Sequence, residues 1–295
     1  MKRKVAILAS ADMMPNSPAP RADAFEREEQ MGKLVPACAA RGIALELAPW
    51  RDFTGEGFDA ALPLLCWDYW DAREPFLSTL EAASCRVFNS PDVLRWNTDK
   101  AYLRELDVPT LPTFWAARAD AQTVGAAFAQ LEADTLVVKP QVGAGAWRQA
   151  RVRRGEPLPA PETLPPNAAL IQPFQTAIET EGEVSLLLFQ GRFSHALRKL
   201  AAPGDYRIQS IHGGREESLD PTPEMIALAE RALAGRETLY ARVDLLRDND
   251  GRWAVIELEL VEPYFYLAQS SGEGGSNAGA QAFADALANA LGGWF

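Results

Sequence analysis

The sequence predicts an α/β (α+β) fold from two contrasting patterns. In the first part, short apolar runs alternate with helical patterns, which is typical of a parallel sheet covered by helices. The apolar runs are residues 5–9, 43–48, 58–66 and 86–89, and the helical patterns are residues 24–41 and 74–83. In the later part, turn signals such as Gln190-Gly191 join apolar runs into hairpins. A chain of 295 residues has room for more than one domain.

The composition is that of an ordinary globular protein, with 47% hydrophobic and 23% charged residues. The formal net charge of −11 argues against nucleic acid or an anionic membrane surface as a partner. With 2 histidines, the chain cannot supply a His-rich zinc site, and a Ser-His-Asp triad is a poor hypothesis. The 3 dispersed cysteines indicate reduced thiols, and the short apolar run before Asp12 is not a signal peptide. We therefore expect a cytoplasmic protein.

The stretch Tyr240–Pro263 predicts a β-hairpin that carries acidic residues on an otherwise apolar framework. With Asp250-Gly251 as the centre of its turn, Asp244 faces Glu257 on the partner strand. Side chains alternate between the two faces of a strand, so Glu259 lies on the same face as Glu257. Carboxylates that lie so close repel one another unless a cation sits between them, and oxygen ligands favour Mg²⁺. A solvated face of an edge hairpin explains the pattern equally well.

A second pattern places a lysine beside a glycine-bearing loop. The strand that ends at Lys139 is followed by Gly143 and Gly145. The backbone N–H groups of such a loop can approach a polyphosphate closely, while an ammonium group neutralises its charge. The spacing is not that of a P-loop, and taken alone it is more typical of an ordinary turn with a solvated lysine.

The order of these features along the chain resembles the ATP-grasp superfamily, and most closely its glutathione-synthetase-like carboxylate–amine ligase branch. Asn97–Lys100 is similar to the family's Asn-x-x-Lys segment, and Val138–Pro140 to the strand that carries its second phosphate lysine. Gly143–Arg148 is similar to the mobile loop that covers the phosphates. Ile171–Phe174 is similar to the hinge strand that meets adenine, and Glu257–Pro263 to the Glu-Ile-Asn stretch. The resemblance covers roughly residues 90 to 270.

This resemblance implies an ATP-grasp fold with an N-terminal Rossmann-like preATP-grasp domain. The implied divisions are residues 1–90 for that domain, 91–170 for a small subdomain with the glycine-rich loop, and 171–295 for a large subdomain with the Mg²⁺ site. Ser90 and Pro91 support the first boundary, because serine caps helices and proline suits their first turn.

The resemblance also implies ATP and Mg²⁺ as cofactors. The residues implied at the nucleotide are Lys100, Lys139, Gly143, Gly145, Gln172, Pro173 and Phe174, and those implied at Mg²⁺ are Asp244, Glu257 and Glu259. Glu259 departs from the asparagine of many family members. A glutamate is a competent Mg²⁺ ligand, but it adds one negative charge to the site.

One further stretch resembles the substrate loop of the same branch. It comprises His195–Lys199, Asp205–Arg207 and Gly213-Gly214. The resemblance implies Arg207 and Lys199 as catalytic residues, with Arg207 stabilising the acyl-phosphate or the tetrahedral intermediate. A solvated basic face remains an open alternative for Lys199, and His195 stays open between strand packing and a functional role.

The resulting prediction is an ATP-dependent carboxylate–amine ligase that acts on a small amino-acid-like substrate through an acyl-phosphate. The alternatives are an intramolecular cyclo-ligase, an ATP-grasp kinase and a non-catalytic nucleotide-binding protein. Asp12, Asp68 and Arg73 are candidates for the substrate wall, whereas the aromatic residues at 67–70 are interpreted as packing. Trp294-Phe295 suits either a dimer interface or a packed tail, so a homo-oligomer is an open expectation.

Overall fold

Three β-sheets follow one another along the chain in the computed structural model, which describes residues 2–202, 213–270 and 277–292. The first part contains β1 (Arg3–Ala9), α1 (Phe25–Ala39), β2 (Ile43–Pro49), β3 (Ala60–Leu65), α2 (Arg73–Ala82) and β4 (Arg86–Val87). These strands pair in parallel in the order β2-β1-β3-β4. Strand β3 is buried along its whole length, as expected for a strand covered on both faces. The predicted alternation of strands and helices is confirmed.

The second sheet is antiparallel and follows the boundary predicted near residue 90. Its region contains α3 (Pro91–Asn97), β5 (Phe114–Ala116), α4 (Ala121–Gln130), β6 (Thr135–Pro140), β7 (Ala150–Arg153) and β8 (Ala169–Pro173). The strand order is β5-β8-β6-β7. The side-chain oxygen of Ser90 accepts a hydrogen bond from the backbone N–H of Val93, so α3 begins as its capping signal predicts.

The third sheet is also antiparallel and has five strands in the order β11-β10-β9-β12-β13. The elements of this region are α5 (Ala177–Thr180), β9 (Glu183–Phe189), β10 (Arg192–Leu200), β11 (Arg215–Leu219), α6 (Pro223–Ala232), β12 (Tyr240–Arg247), β13 (Trp253–Glu259) and α7 (Ala278–Gly292). The central strand β9 is buried throughout. Of the stretch that resembles the substrate loop, Asp205–Arg207 lies outside the described residues.

Strands β5 and β11 are absent from the sequence-based prediction. Strand β5 has three residues and forms only by pairing with β8. Strand β11 has the polar sequence Arg-Glu-Glu-Ser-Leu and lies at the edge of its sheet, largely exposed. Neither strand carries an alternating apolar pattern of useful length, because each depends on a partner that is distant in sequence.

The turn between β12 and β13 differs from the predicted one. The backbone N–H of Asp248 donates to the carbonyl of Arg252 at 2.8 Å, so the loop consists of three residues, 249–251. Gly251 has a φ of +82°, a left-handed value that glycine adopts at little cost. The prediction of a two-residue turn centred on Asp250-Gly251 is therefore wrong.

The acidic pairing across the hairpin is nevertheless confirmed. Asp244 lies opposite Glu257, and Arg242 lies opposite Glu259. A register shift between Asp244 and Leu245 compensates for the additional loop residue. The bulge therefore returns the acidic residues to the alignment that the sequence suggested.

Strand β13 lies at the edge of its sheet, and polar side chains pair with its outer backbone. The side-chain amide of Asn97 donates to the carbonyl of Leu258 at 2.8 Å and accepts from the N–H of Leu260 at 3.0 Å. The hydroxyl of Tyr102 accepts from the N–H of Leu258 at 2.7 Å. Two side chains thus replace a neighbouring strand and fix β13 beside the segment that carries Lys100.

The first and third sheets share a hydrophobic core. Phe265 and Phe283 pack in the same buried cluster as residues of β1, and α7 packs against α1. The sheets occupy residues 3–87, 114–173 and 183–259, which supports the three-part division as a proposal. None of the described helices combines the length and apolar composition needed to cross a bilayer.

Candidate active site

A cavity of about 460 Å³ lies where the three sheets meet. We call it the active-site cavity. Its wall includes residues from the first sheet region, the loop after β6, strand β8 and the hairpin β12–β13. The residues predicted at the nucleotide and at Mg²⁺ all line it: Lys100, Lys139, Gly143, Gly145, Gln172, Pro173, Phe174, Asp244, Glu257 and Glu259. The fold therefore brings together side chains that are up to 159 positions apart in sequence (259 − 100).

Lys139 presents a positive charge to the cavity at the end of β6. Its ammonium group makes no ion pair with any described residue. Burial lowers the pKa of Lys139, and the negative charges of Glu257 and Glu183 offset this only in part. An unpaired ammonium group in a desolvated cleft is stabilised by an anionic ligand, and a phosphate group fits this requirement.

Lys100 connects the glycine-bearing loop to the acidic strand. Its Nζ donates to the carbonyl of Gly143 at 2.6 Å and lies 3.1 Å from Oε1 of Glu257. The segment is held by Asp99, whose carboxylate accepts from the N–H of Ala101 at 2.8 Å. Lys100 is thus placed to exchange a carboxylate partner for a phosphate oxygen.

The glycine-bearing loop lies against the first sheet region. A side chain at residue 143 would collide with Pro140, since a Cβ there would be 2.7 Å from the proline Cγ. The ring of Trp147 at the end of the loop lies 4.5 Å from the ring of Trp70, centroid to centroid. The loop therefore lines the cavity and contacts the first sheet region through an aromatic pair.

The strand predicted to meet adenine forms another wall of the active-site cavity. The side chain of Gln172 donates to the hydroxyl of Thr113 at 2.9 Å and is buried. The guanidinium of Arg151 lies 3.7 Å from the centre of the Phe174 ring. The wall is thus partly apolar, with its polar side chain held by a hydrogen bond, which suits a flat aromatic base.

Asp244 is the most buried carboxylate of the predicted metal site. Its Oδ1 accepts from Nε of Arg242 at 3.0 Å, and it lies 3.5 Å from Nζ of Lys199. The hydroxyl of Ser185 also donates to it. Burial disfavours the charge of Asp244, but Arg242 and Lys199 hold its pKa well below the usual range. Asp244 is therefore ionised and already paired with protein cations.

Arg242 is a site residue that the sequence analysis missed. Its guanidinium is buried and bridges Asp244 and Glu259. Burial raises the pKa of Glu259 to about 7, and Arg242 acts in the opposite direction. Arg242 and Asp244 are two residues apart on β12, so they share a face. This spacing of two residues on one strand could have predicted that Arg242 lies beside the acidic residues.

The predicted Mg²⁺ ligands fit a hard cation in chemistry but are not grouped around one point. Glu257 and Glu259 present oxygen donors to the cavity, with side chains 32% and 27% exposed. In the described part of the chain, no set of three His, Cys, Asp or Glu side chains is arranged to hold a metal ion. Glu257 and Glu259 are the more exposed carboxylates and pair with Lys100 and Arg242, whereas Asp244 is buried within its own ion pairs.

Of the two predicted catalytic residues, the structure describes Lys199 but not Arg207. Lys199 lines the cavity, is buried, and forms ion pairs with Glu183 and Asp244. Although burial opposes it, these carboxylates raise the pKa of Lys199, so the residue is a fixed positive charge and not a solvated surface lysine. Arg207 lies outside the described residues.

The residues whose roles were open take mainly structural positions. His195 is buried, and its Nε2 lies 2.7 Å from the carbonyl of Phe265. Asp68 accepts from the indole N–H of Trp50 at 2.6 Å. Arg73 donates to the carbonyl of Arg95 at 2.8 Å. These contacts explain the residues as supports for neighbouring backbone and side chains.

The aromatic residues after β3 do more than pack. Trp67, Tyr69 and Trp70 line the active-site cavity, which corrects their interpretation as core packing alone. Asp12 approaches this wall through Arg21, whose Nη1 lies 4.0 Å from its Oδ2. The first sheet region thus contributes an aromatic wall to the active-site cavity.

Sequence and structure match known proteins along nearly the whole chain. Residues 5–89 match the family model of the N-terminal domain of D-cycloserine synthetase DcsG. The cycloserine biosynthesis protein DcsG of Streptomyces lavendulae is 30% identical, over 88% of this chain and 93% of that protein. The crystal structure of D-cycloserine synthetase DcsG superposes with a TM-score of 0.80 at 28% identity, covering 98% of this chain and 99% of that chain.

More distant structures share the fold. The ATP-grasp ligase PsnB, in complex with its minimal precursor, Mg and ADP, has a TM-score of 0.60 at 18% identity, with 98% of both chains covered. The predicted ATP-grasp fold is confirmed by these superpositions. The chain therefore belongs to the DcsG family, within the ATP-grasp ligases that form carbon–nitrogen bonds.

Proposed function

We propose that this protein is a cyclo-ligase, which uses ATP and Mg²⁺ to close a ring within one small amino-acid-like molecule. The observation that carries the proposal is the match, over nearly the whole chain, to a protein named for D-cycloserine synthesis. Cycloserine is a ring that contains a bond between a carbonyl carbon and a nitrogen. Forming that ring from an open-chain precursor is an internal carbon–nitrogen ligation, and the cavity has the size of a small-ligand site.

The nucleotide side of the proposal rests on the two lysines. Lys139 has no carboxylate partner in the described part of the chain, and Lys100 contacts the loop carbonyl and Glu257. Both line the cavity beside the glycine-bearing loop, which supports the proposal that they neutralise ATP phosphates. When bound, Mg²⁺ would neutralise and orient the phosphates, and Glu257 and Glu259 would hold it, with Asp244 as the third predicted ligand.

The proposed reaction has two steps. The substrate carboxylate attacks the γ-phosphorus of ATP, the bond from that phosphorus to the bridging oxygen breaks, and an acyl-phosphate and ADP form. The tethered nitrogen then attacks the acyl carbon and loses a proton, and inorganic phosphate leaves. Arg242 and Lys199 supply fixed positive charge beside the acids, which would stabilise the negative charge of the transition states. Arg207 remains a candidate for the same task.

A single-substrate assay tests this proposal. The probe is O-amino-D-serine, the open-chain compound that corresponds to hydrolysis of the ring carbon–nitrogen bond of D-cycloserine. We expect equal amounts of ADP, phosphate and ring product with no second amine present. ADP with a stable phosphorylated compound and no phosphate would indicate a kinase instead. A product that forms only after a second amine is added would indicate intermolecular ligation, and either result would contradict ring closure.

A further inference from the structure

Glu262 is a carboxylate in the active-site cavity that the proposed phosphate and metal chemistry does not use. It lines the cavity three positions beyond the end of β13. It makes no ion pair or side-chain hydrogen bond with another residue in the part of the chain that the structure describes. Burial raises the pKa of Glu262 well above its usual range, and the charge of Glu259 adds to this. A carboxylate in this position is stabilised by a cation that arrives with a ligand.

Arg21 brings the opposite charge to the same end of the cavity. Its Nε and Nη2 donate to the two oxygens of Asp23 at 2.9 and 3.0 Å, which fixes the plane of the guanidinium. Burial lowers the pKa of Arg21, but the charges of Asp23, Asp12 and Glu262 together raise it. Glu262 therefore acts electrostatically on Arg21, yet no ion pair joins them. A ligand with separated positive and negative ends fits between two such charges.

The wall around these charges is aromatic. Trp67 stacks beneath Arg21, with 5.3 Å from the guanidinium carbon to the ring centre, and Tyr69, Trp70 and Tyr264 also line the cavity. The indole N–H of Trp67 is buried and has no acceptor among the described residues. Aromatic faces attract ammonium groups, and few water molecules compete for a charge in such a setting.

We propose that Glu262 binds the cationic amino group of the substrate, with the oxygen atoms of the substrate directed towards Arg21. This assignment rests on the proposed function, because it names the group by which a cycloserine-type substrate is recognised. A second metal ion is a poorer occupant, since the neighbouring Arg21 repels a divalent cation more strongly than a monovalent ammonium. Glu262 thus becomes a specificity-determining residue, distinct from the carboxylates assigned to Mg²⁺.

Calorimetric titration with two matched ligands tests the assignment. The probes are D-cycloserine and isoxazolidin-3-one, which is the same ring without the amino group, each added to the protein in the presence of ADP and Mg²⁺. For the wild type we expect about 10- to 100-fold tighter binding of D-cycloserine, the range of a charged hydrogen bond. Glu262→Gln should reduce this preference to about twofold or less by weakening D-cycloserine alone.

The control is Glu29→Gln. Glu29 accepts a hydrogen bond from the hydroxyl of Tyr264 at 2.6 Å, and glutamine retains that acceptor while removing one negative charge near the same wall. We expect this variant to keep the wild-type preference. Glu262→Asp provides a second variant, and it should weaken D-cycloserine and leave isoxazolidin-3-one unchanged. In all variants, the KM for Mg²⁺ in ATP turnover should stay within about twofold of the wild type.

Three results would overturn the assignment, and each shows whether the proposed function fails as well. If Glu262→Gln keeps the wild-type preference, Glu262 does not bind the amino group and the proposed function is unaffected. If Glu262→Gln instead raises the KM for Mg²⁺ and leaves the ligand preference intact, the residue belongs to the metal site. If the wild type binds neither compound while ADP and Mg²⁺ bind normally, the proposed cycloserine-type substrate fails and the assignment fails with it.

Discussion

At the scale of single residues, the carboxylates of the site differ in how deeply they are buried and in how many protein cations surround them. Asp244 is enclosed by Arg242, Lys199 and Ser185. Glu257 is more exposed and contacts Lys100 at 3.1 Å. A carboxylate that is tied up internally contributes mainly to structure, whereas one that faces the cavity is available to a ligand. The two kinds should respond differently to substitution.

We predict that Glu257→Gln lowers ATP turnover by roughly 100-fold or more, because metal and phosphate positioning supply several kcal/mol of transition-state stabilisation. Its unfolding free energy should change by less than about 1 kcal/mol, since the ion pair with Lys100 is partly exposed.

Arg242→Ala should instead destabilise the fold by about 3 kcal/mol or more, because it leaves Asp244 and Glu259 without their shared buried cation.

Urea denaturation and steady-state ATP turnover on the two variants separate these effects. Normal turnover of Glu257→Gln would remove the metal assignment. Unchanged stability of Arg242→Ala would mean that the buried pairing is weaker than its geometry indicates.

Single residues were predictable from sequence where a linear motif contained them. Lys100, Lys139 and Glu257 stand at recognisable spacings, and the structure places all three at the active-site cavity. Arg242 lies inside an apolar run and belongs to no linear motif, so its role in the site could not be predicted. Glu262 lies within the stretch Glu257–Pro263, and the sequence predicts no role of its own for it. Its lack of a partner depends on which regions surround it, and those regions are distant in sequence.

At the scale of elements, strand β13 shows how an edge can be fixed without another strand. Asn97 provides both a donor and an acceptor to the backbone of Leu258 and Leu260. The same short segment continues to Lys100. The Asn-x-x-Lys motif therefore combines an asparagine that fixes β13 with a lysine that we propose binds phosphate, and the asparagine holds the lysine beside the acidic strand.

We predict that Asn97→Ala lowers the unfolding free energy by about 1–3 kcal/mol, because the buried N–H of Leu260 loses its acceptor. It should also raise the KM for ATP through displacement of Lys100. Asn167→Ala is a suitable control, since residue 167 is exposed, and its effect should remain within about 0.5 kcal/mol. Chemical denaturation measures both variants. A change below about 0.5 kcal/mol for Asn97→Ala would show that the edge pairing is dispensable.

The elements themselves were predictable to different degrees. Helix α3 and the hairpin β12–β13 carry local signals, namely a capping serine with a proline and an Asp-Gly pair. The three-residue loop and its compensating bulge were not predictable, because the choice between turn types depends on pairing along the whole hairpin. The contact of Trp70 with Trp147 joins two loops, and no pattern within either loop indicates the other.

At the scale of the whole molecule, the cavity exists because three sheets are held together by shared packing and by buried polar contacts. Asn89 lies at the end of the first region, and its amide donates to the carbonyls of Tyr240 and Leu260 at 2.9 and 2.8 Å. The third region is thereby tied to the boundary that the sequence placed near residue 90. The order of motifs predicted the ATP-grasp superfamily, because signals that are weak individually become specific when they follow one another in this order along one chain.

The central claim is that the protein activates a carboxylate as an acyl-phosphate and then closes a ring. Isotope transfer tests it most directly, with O-amino-D-serine carrying ¹⁸O in both carboxylate oxygens, ATP and Mg²⁺. The account predicts that each released phosphate carries one ¹⁸O, while the ring carbonyl keeps the other. Unlabelled phosphate, or label transferred to AMP, would contradict it.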